Sequence, residues 1–564
     1  MPRALIAFLD NLPETRRPRL VLVALCLLLW LPGFFTLPAG DRDESRFAQS
    51  SRQMVESGDW VRIRLGEEAR NKKPAGIYWA QAAVVTALEA THLGDRTDIW
   101  AYRIPGLLGA MLAVVATFHW GRALVGRRAA FLAAALLASA MVLVVETHIA
   151  KTDAALLGLV TVAMGLFGRA YLTPGNFSAR HAAGFWVALG GAVLLKGPIG
   201  PMVPLLTGLT LAIVDRHAAP RGLLYAPWLR PLRPGWGIPL MLAIVAPWFI
   251  AIGIATDGRF FADAIGGDML SKVGSAEEAH WGPPGYYLAT FGIAAFPASF
   301  LVLLALSSVW RDRLRPASRY LLAWVAPSWL VFEAVATKLP HYTLPVWPAL
   351  MLLAGGWAMD PLRRPAPRWL FWLAWAALCG TAAGLAIAAP LLVWFADARL
   401  DALSFLLLPV AALMIWAVLH FARAGAFARA GLASVLLAIP AYWLVLEAVL
   451  PRLRAPWVSS HVAALFHRTA PGATAADFGI LGYAEPSLIF AIGTETHLLR
   501  DAAAASAFLA EGPGRVVAIA DRQEAAFQAA ARAQGLHLRE LGQTSGFQYV
   551  RGRRVALILY RLVP

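Results

Sequence analysis

Apolar stretches recur along this chain from near residue 18 to near residue 450, most of them separated by only a few polar residues. A run of about 18 apolar residues can cross a hydrocarbon core roughly 30 Å thick, so the pattern points to a bilayer rather than to a soluble core. Composition agrees: 59% of the 564 residues are hydrophobic and 15% are charged, where a soluble domain carries about a quarter charged residues. The expected fold class is an α-helical polytopic membrane protein. The first run, Leu20 to Phe35, follows an Arg-containing start and has no small-residue cleavage site, so it reads as a retained helix and not a signal peptide. Cys26 and Cys379 fall inside apolar runs, which excludes a disulfide framework or a Cys metal site. The net charge of +16 is carried largely by Arg in short loops. That placement encodes orientation in a membrane and argues against nucleic acid as a partner.

Accepted spans lie near 18–37, 104–121, 129–147, 153–169, 182–196, 199–214, 237–255, 286–309, 319–336, 343–358, 369–393, 403–420 and 430–450. A further run, 75–92, is decided by charge. If it lies at the surface, Arg16, Arg17 and Arg19 share a side with Arg122, Arg127 and Arg128, with Arg216, Arg221, Arg230 and Arg233, and with Arg311, Arg313, Arg315 and Arg319. Arg363, Arg364, Arg368, Arg423 and Arg429 fall there too. Short loops on the cytoplasmic side collect Lys and Arg, so 75–92 is expected as a juxtamembrane helix and the count as about 13 transmembrane helices.

This topology places 38–103, 148–152, 256–285 and 337–342 on the periplasmic face of a bacterial inner membrane. Residues 1–450 form the membrane domain. Residues 451–564 shift to a soluble pattern, with strand-like runs at Arg515–Ala520 and Val555–Tyr560 around a helical Gln523–Gln534. They are expected to form a small C-terminal periplasmic α/β domain of about 110 residues.

Ionisable residues beside apolar spans are costly, and the periplasmic segments hold several. Asp41-Arg42-Asp43-Glu44-Ser45-Arg46 offers carboxylates for metal binding, base catalysis or sugar hydroxyls, against the bland alternative of a helix-start cluster. Asp153 follows His148 and Lys151 at the mouth of a span. Asn71-Lys72-Lys73-Pro74, followed by Tyr78-Trp79, can hold a phosphate or merely anchor an interfacial helix. Lys338-Leu339-Pro340-His341-Tyr342 supplies donors suited to a phosphate leaving group on a turn stiffened by proline. Lys196-Gly197-Pro198 is a second such turn, read as structural. His280 and Trp281 are possible sugar contacts.

Taken in order, these segments resemble a known family. Asp43-Glu44-Ser45-Arg46-Phe47-Ala48 with Met54-Val55-Glu56-Ser57-Gly58-Asp59-Trp60 is similar to the first-loop pattern of ArnT-like aminoarabinose transferases of the protein O-mannosyltransferase superfamily. Lys73-Pro74 with Tyr78-Trp79, Asp153, Lys196-Gly197-Pro198, Lys338 to Tyr342 and Gly482-Tyr483-Ala484-Glu485-Pro486-Ser487 resemble the family's later motifs. The resemblance implies a GT-C glycosyltransferase. Its donor is a polyprenyl-phosphate-linked sugar and its acceptor lipid A or another glycolipid, joined by inverting displacement. It implies Asp43, Asp153 and Lys73 as catalytic residues, with Lys72, Arg46, Glu44, Lys338, His341 and Tyr342 binding the donor phosphate or sugar. Lys72 stands where relatives carry an acid, and Gly266-Gly267-Asp268-Met269 lacks an expected Glu-His pair, so a divalent metal cofactor is doubtful and no metal ligand is assigned. The alternatives are a protein O-glycosyltransferase of the same fold and a polytopic transporter. A transporter would place ionisable residues near mid-span.

Overall fold

Among the described residues six helices are long and apolar enough to cross a membrane: Ile99–Val125, Asp153–Leu172, Pro234–Ala255, Arg368–Asp397, Ala402–Arg423 and Phe427–Arg452. The structure, a computed structural model, describes residues 3–218, 225–270 and 281–563. Arg127–Ser139 and Met141–Thr147 are bent by 59° across Ala140 and make up to a seventh, broken span. Pro18–Trp30, Ile199–Val214 and Ser299–Val309 are shorter apolar helices. The expected count of about 13 included such short pieces, because hydropathy alone reads through the bends and turns that break a helix.

The helices that position the candidate site are α1 (Pro18–Trp30), α2 (Asp43–Ser57), α3 (Gly76–Ala90), α4 (Ile99–Val125), α5 (Arg127–Ser139), α6 (Met141–Thr147), α7 (Asp153–Leu172) and α8 (Ala179–Lys196). Between α2 and α3 a short hairpin pairs β1 (Arg64–Leu65) with β2 (Glu68–Ala69). Helix α3 is the run 75–92. Its 15 residues span about 22 Å, too short for a bilayer core. One face of it is buried against the protein through Ile77, Tyr78, Gln81, Ala82 and Val85.

Helices α4 and α7 approach as closely as backbones allow. A Cβ added at Gly158 would meet the carbonyl oxygen of Gly109 at 2.5 Å, and one at Gly109 would meet Cα of Ala155 at 2.4 Å. In a membrane, where lipid is as apolar as Leu, such small-residue contacts supply the van der Waals packing that holds helices together.

The tail carries a five-stranded sheet with order β4-β3-β5-β7-β6: β3 (Phe478–Leu481), β4 (His497–Leu499), β5 (Val516–Ala520), β6 (Leu538–Gln548) and β7 (Arg553–Leu562). Strand β3 pairs in parallel with β4 and β5, while β7 runs antiparallel to β5 and β6. All residues of β3 and β5 are buried, as expected of strands covered on both faces. The helix α9 (Pro486–Ile492) of this unit rests on α2. Arg52 donates to the Phe490 carbonyl at 2.9 Å, and Thr494 joins Gln49 at 2.7 Å to Glu56 at 2.6 Å.

Candidate functional site

Five ionisable side chains converge where α6, α7 and α8 end near the turn 337–342. Asp153 opens α7 and receives a hydrogen bond from Lys196, the last residue of α8. Lys151 lies 2.9 Å from Glu146 and 4.0 Å from the other Asp153 oxygen. His341 approaches Glu146 at 3.3 Å and Asp153 at 3.7 Å. The Lys196 ammonium lies 5.1 Å from the centroid of the Tyr342 ring. Glu146, Lys151 and Asp153 are all buried. Two carboxylates face two ammonium groups and one imidazole, so each buried charge has a partner, as low-dielectric surroundings demand. Lys196, read from sequence as a structural turn residue, is thus bonded to the acid at the centre of the cluster.

The first loop joins this cluster through Glu44. Its carboxylate accepts from Arg103 at 2.8 and 3.2 Å, from the Gly40 N–H at 2.8 Å and from the Ala150 N–H at 3.1 Å. Arg103 also donates to the carbonyls of Phe34 (2.9 Å), Leu37 (3.0 Å) and Pro38 (3.1 Å). A guanidinium has five N–H donors, and all five of them are used. Glu44, implied by the resemblance as a donor-binding residue, is 4% exposed and braces the loop 34–44 against α4 and the Ala150 turn. Sequence reasoning missed Arg103. The available signal was a charge at the edge of an apolar run, where an unpaired one would be expensive.

Asp43, in the first turn of α2, remains accessible, with 55% of its side chain exposed and Arg46 at 3.9 Å. It is near enough to Lys151 to contribute to the field at that ammonium. Lys73 is half-buried just before α3. That helix start is pressed onto α8, since a Cβ on Gly76 would meet the Leu194 carbonyl at 2.6 Å. The contact sets the start of α3 against the C-terminal turn of α8, the helix that ends at Lys196. Gln81 then ties α3 to the rest, accepting from Ser51 at 2.6 Å and donating to the carbonyls of Tyr102 and Ala150, both at 3.1 Å. Lys72 is exposed. Asn71 is buried and donates to Asp263 at 2.9 Å, fixing the segment after Ala255 to the lysine pair. Lys338 is 4% exposed and donates one N–H to the Val335 carbonyl at 2.5 Å, closing its own turn. Trp281 is exposed and bridges Thr337, while His280 lies outside the described residues.

A second polar cluster seats the tail on the first loop. The Asp41 N–H donates to the Tyr549 hydroxyl at 2.5 Å, and Ser487 donates to the Asp41 carboxylate. Ser487 in turn meets Ser459 at 2.6 Å, and Ser459 meets Tyr483 at 3.0 Å. Glu485 accepts from Gln548 at 2.6 Å. The 482–487 motif therefore abuts the residues that precede Asp43. Burial pushes the Asp41 carboxyl up to about 6; the Ser487 hydroxyl opposes this and the Glu485 charge reinforces it.

No group of three His, Cys, Asp or Glu among the described residues is arranged to hold a metal ion. The carboxylates of the main cluster are already engaged by Lys151 and Lys196.

Residues 19–256 match the family Dolichyl-phosphate-mannose-protein mannosyltransferase. Among curated proteins, the undecaprenyl phosphate-alpha-4-amino-4-deoxy-L-arabinose arabinosyl transferases of Yersinia enterocolitica and Pectobacterium carotovorum are each 27% identical over 60% of this chain. The matched stretch spans 59% and 58% of those relatives' own lengths. Among solved structures, ArnT from Cupriavidus metallidurans bound to undecaprenyl phosphate superposes with a TM-score of 0.70 at 20% identity, covering 96% of this chain and 97% of that one. Its apo state gives 0.69 at 21% identity. In sequence the chain is similar to these transferases, and it shares the fold of the solved ArnT, that of a multi-pass membrane protein with a small C-terminal sheet unit.

Proposed function

We propose that the protein is an inverting glycosyltransferase of the bacterial inner membrane, moving a sugar from a polyprenyl phosphate to lipid A or a related glycolipid at the periplasmic face. The observation that carries this reading is the convergence of the segments bearing Asp43, Lys73, Asp153, Lys196, His341 and Tyr342 at one end of the helices. A transporter would instead distribute such groups near the middle of its spans. The relatives are named for a donor, undecaprenyl phosphate-linked aminoarabinose, that cannot leave the bilayer, and a site at the helix ends meets its phosphate at headgroup depth.

In this reaction a bond forms between the anomeric carbon and an acceptor oxygen while the bond to the phosphate oxygen breaks. The polyprenyl phosphate leaves with the bonding pair. Lys73, with Tyr342 and Arg46, stabilises the charge that grows on the leaving phosphate. One preorganised donor at such a position is worth about 3–4 kcal/mol. Asp153, held by Lys196 and Lys151, orients the sugar. Exposed Asp43 orients the acceptor, and takes its proton if the acceptor is a hydroxyl. A phosphate acceptor is already a nucleophile and needs no base. Lys72 favours an anionic acceptor or an acidic sugar. The residues 1–450 work as the catalytic membrane domain and 451–564 as a domain that closes over the first loop.

The test is sugar transfer in membranes lacking other such enzymes, supplied with polyprenyl-phosphate sugars and read by mass spectrometry of lipid A and total glycolipids. The expected result is a mass increment on lipid A that disappears in Lys73→Ala and Asp153→Asn. Asp43→Asn separates acceptors, abolishing transfer to a hydroxyl and only slowing transfer to a phosphate. An abundant, folded wild type that modifies no lipid would overturn the reading.

A further inference from the structure

At the opposite end of α4 and α7 lies a pocket of about 370 Å³, lined by His119, Trp120, Arg122, Gly165, Arg169 and Leu172 among others. Gly165 makes room for it: a Cβ there would meet Cδ1 of Trp120 at 2.1 Å, so the indole lies directly on α7. The His119 ring packs edge-on against that indole, with centroids 4.5 Å apart. Nδ1 of His119 lies 2.7 Å from Nη2 of Arg19 and 3.4 Å from Nη2 of Arg122. A guanidinium can only donate, so Nδ1 is the acceptor and the ring is neutral with its proton on Nε2.

The charged groups that act on this ring are Arg19, Arg122 and Arg169, with no carboxylate among them. Three acids elsewhere on this face are already paired, Glu14 with Arg128, Asp215 with Arg319 and Asp10 with Arg429. Arg169 spends one N–H on the Asn176 carbonyl at 3.1 Å, while its buried Nε has no hydrogen-bond partner among the described residues. Two helix C-termini end here, each equivalent to about half a negative charge, so roughly two positive charges stay uncompensated. Arg19 and Arg122 are exposed and Arg169 is half-buried; a half-buried guanidinium with an unpartnered Nε, flanked by two further cations and no counter-ion, favours an anion.

We propose that this pocket binds the phosphodiester of an anionic phospholipid from the leaflet opposite the sugar-transfer site. A lipid fits better than a soluble anion because Trp120, Leu124 and Leu172 line the same pocket at the end of two spans, where a headgroup meets the first carbons of its chains. The guanidinium groups take the phosphate oxygens, and the apolar side accepts the first carbons of the acyl chains.

The experiment uses the full chain, purified in detergent and stripped of lipid, with thermal unfolding and native mass spectrometry read against added phosphatidylglycerol, phosphatidylcholine or inorganic phosphate. Phosphatidylglycerol is expected to raise Tm and to stay bound through dissociation of the micelle, with phosphatidylcholine about tenfold weaker. The double variant Arg122→Gln/Arg169→Gln loses that selectivity, while Arg311→Gln/Arg313→Gln, with the same charge change elsewhere on this face, keeps it. Equal loss in both variants would mean diffuse charge attraction and overturn the proposal. Equal stabilisation by inorganic phosphate, or no preference between the two lipids, would overturn it too. If the first variant does not fold, a photoreactive phosphatidylglycerol on the wild type decides: cross-links within 119–124 and 165–173 support the site, and cross-links elsewhere remove it.

Discussion

Arg103→Met removes the brace under the first loop, and its cost follows from the bonds described above. The substitution leaves the Glu44 carboxylate buried with only the Gly40 and Ala150 N–H groups, and strips donors from the carbonyls of Phe34, Leu37 and Pro38. Losing one partner of a buried ion pair costs about 3–5 kcal/mol, and an abandoned buried acceptor about 1–3 kcal/mol more. Some carbonyls at the loop will reach water, so a total of at least about 4 kcal/mol is expected. Arg103→Lys should fall between, because an ammonium has three donors for five acceptor contacts. Glu44→Leu combined with Arg103→Met removes both charges and should recover about 2 kcal/mol relative to the sum of the single variants. The assay is reversible unfolding of the full chain in mixed micelles titrated with dodecyl sulfate and followed by Trp fluorescence. A cost below about 1 kcal/mol for Arg103→Met, or a coupling below about 0.5 kcal/mol, would show that the pair does not organise the loop.

Other expectations bear on the tail, the helix contact and the cluster. Asp41 has its pKa raised by burial to about 6, so the docked state favours its protonated form and binds more protons than the undocked one. Docking is therefore strongest below the ordinary carboxylate value and weakens, by up to about 3 kcal/mol, as pH rises from about 4 to 6. Limited proteolysis across that range should show it, and Asp41→Asn should flatten the profile. Tyr549→Phe removes the acceptor of the Asp41 N–H and should loosen the tail by about 1 kcal/mol without unfolding the membrane part, again visible as faster cleavage. Gly158→Leu drives a side chain into the Gly109 carbonyl and should abolish recovery of monodisperse protein on size exclusion; a normal yield would contradict the close approach of α4 and α7. Lys196→Met leaves Asp153 with Lys151 and His341 alone, and should lower transfer by about 100-fold with little change in KM. An unchanged rate would return Lys196 to a purely structural turn.

Much of the candidate site was legible because polar residues stand out against apolar spans. Asp43, Lys73, Asp153 and the 338–342 turn each interrupt a hydrophobic background, and charge in the short loops put them on one side together. What the residues do to one another was not legible. Glu44 looked like Asp43 in sequence, yet one is buried in an ion pair and the other is exposed, because helix α2 turns Glu44 toward α4. Lys338 looked free of the fold, and one of its N–H groups closes its own turn. Lys196 looked like a turn residue and bonds to Asp153.

Composition and the spacing of apolar runs determined by themselves that this chain lives in a bilayer and that its last hundred or so residues fold as strands and helices of a soluble kind. Those properties depend on transfer energies and local periodicity, which sum residue by residue. Only the tertiary structure decided which charge meets which. Arg103 and Glu44 are 59 positions apart, Lys196 and Asp153 are 43, and Ser487 and Asp41 are 446. A buried charge must find a partner wherever the helices bring one. That choice depends on how close α3, α4, α7 and α8 pack at their glycines, a distance no stretch of sequence contains.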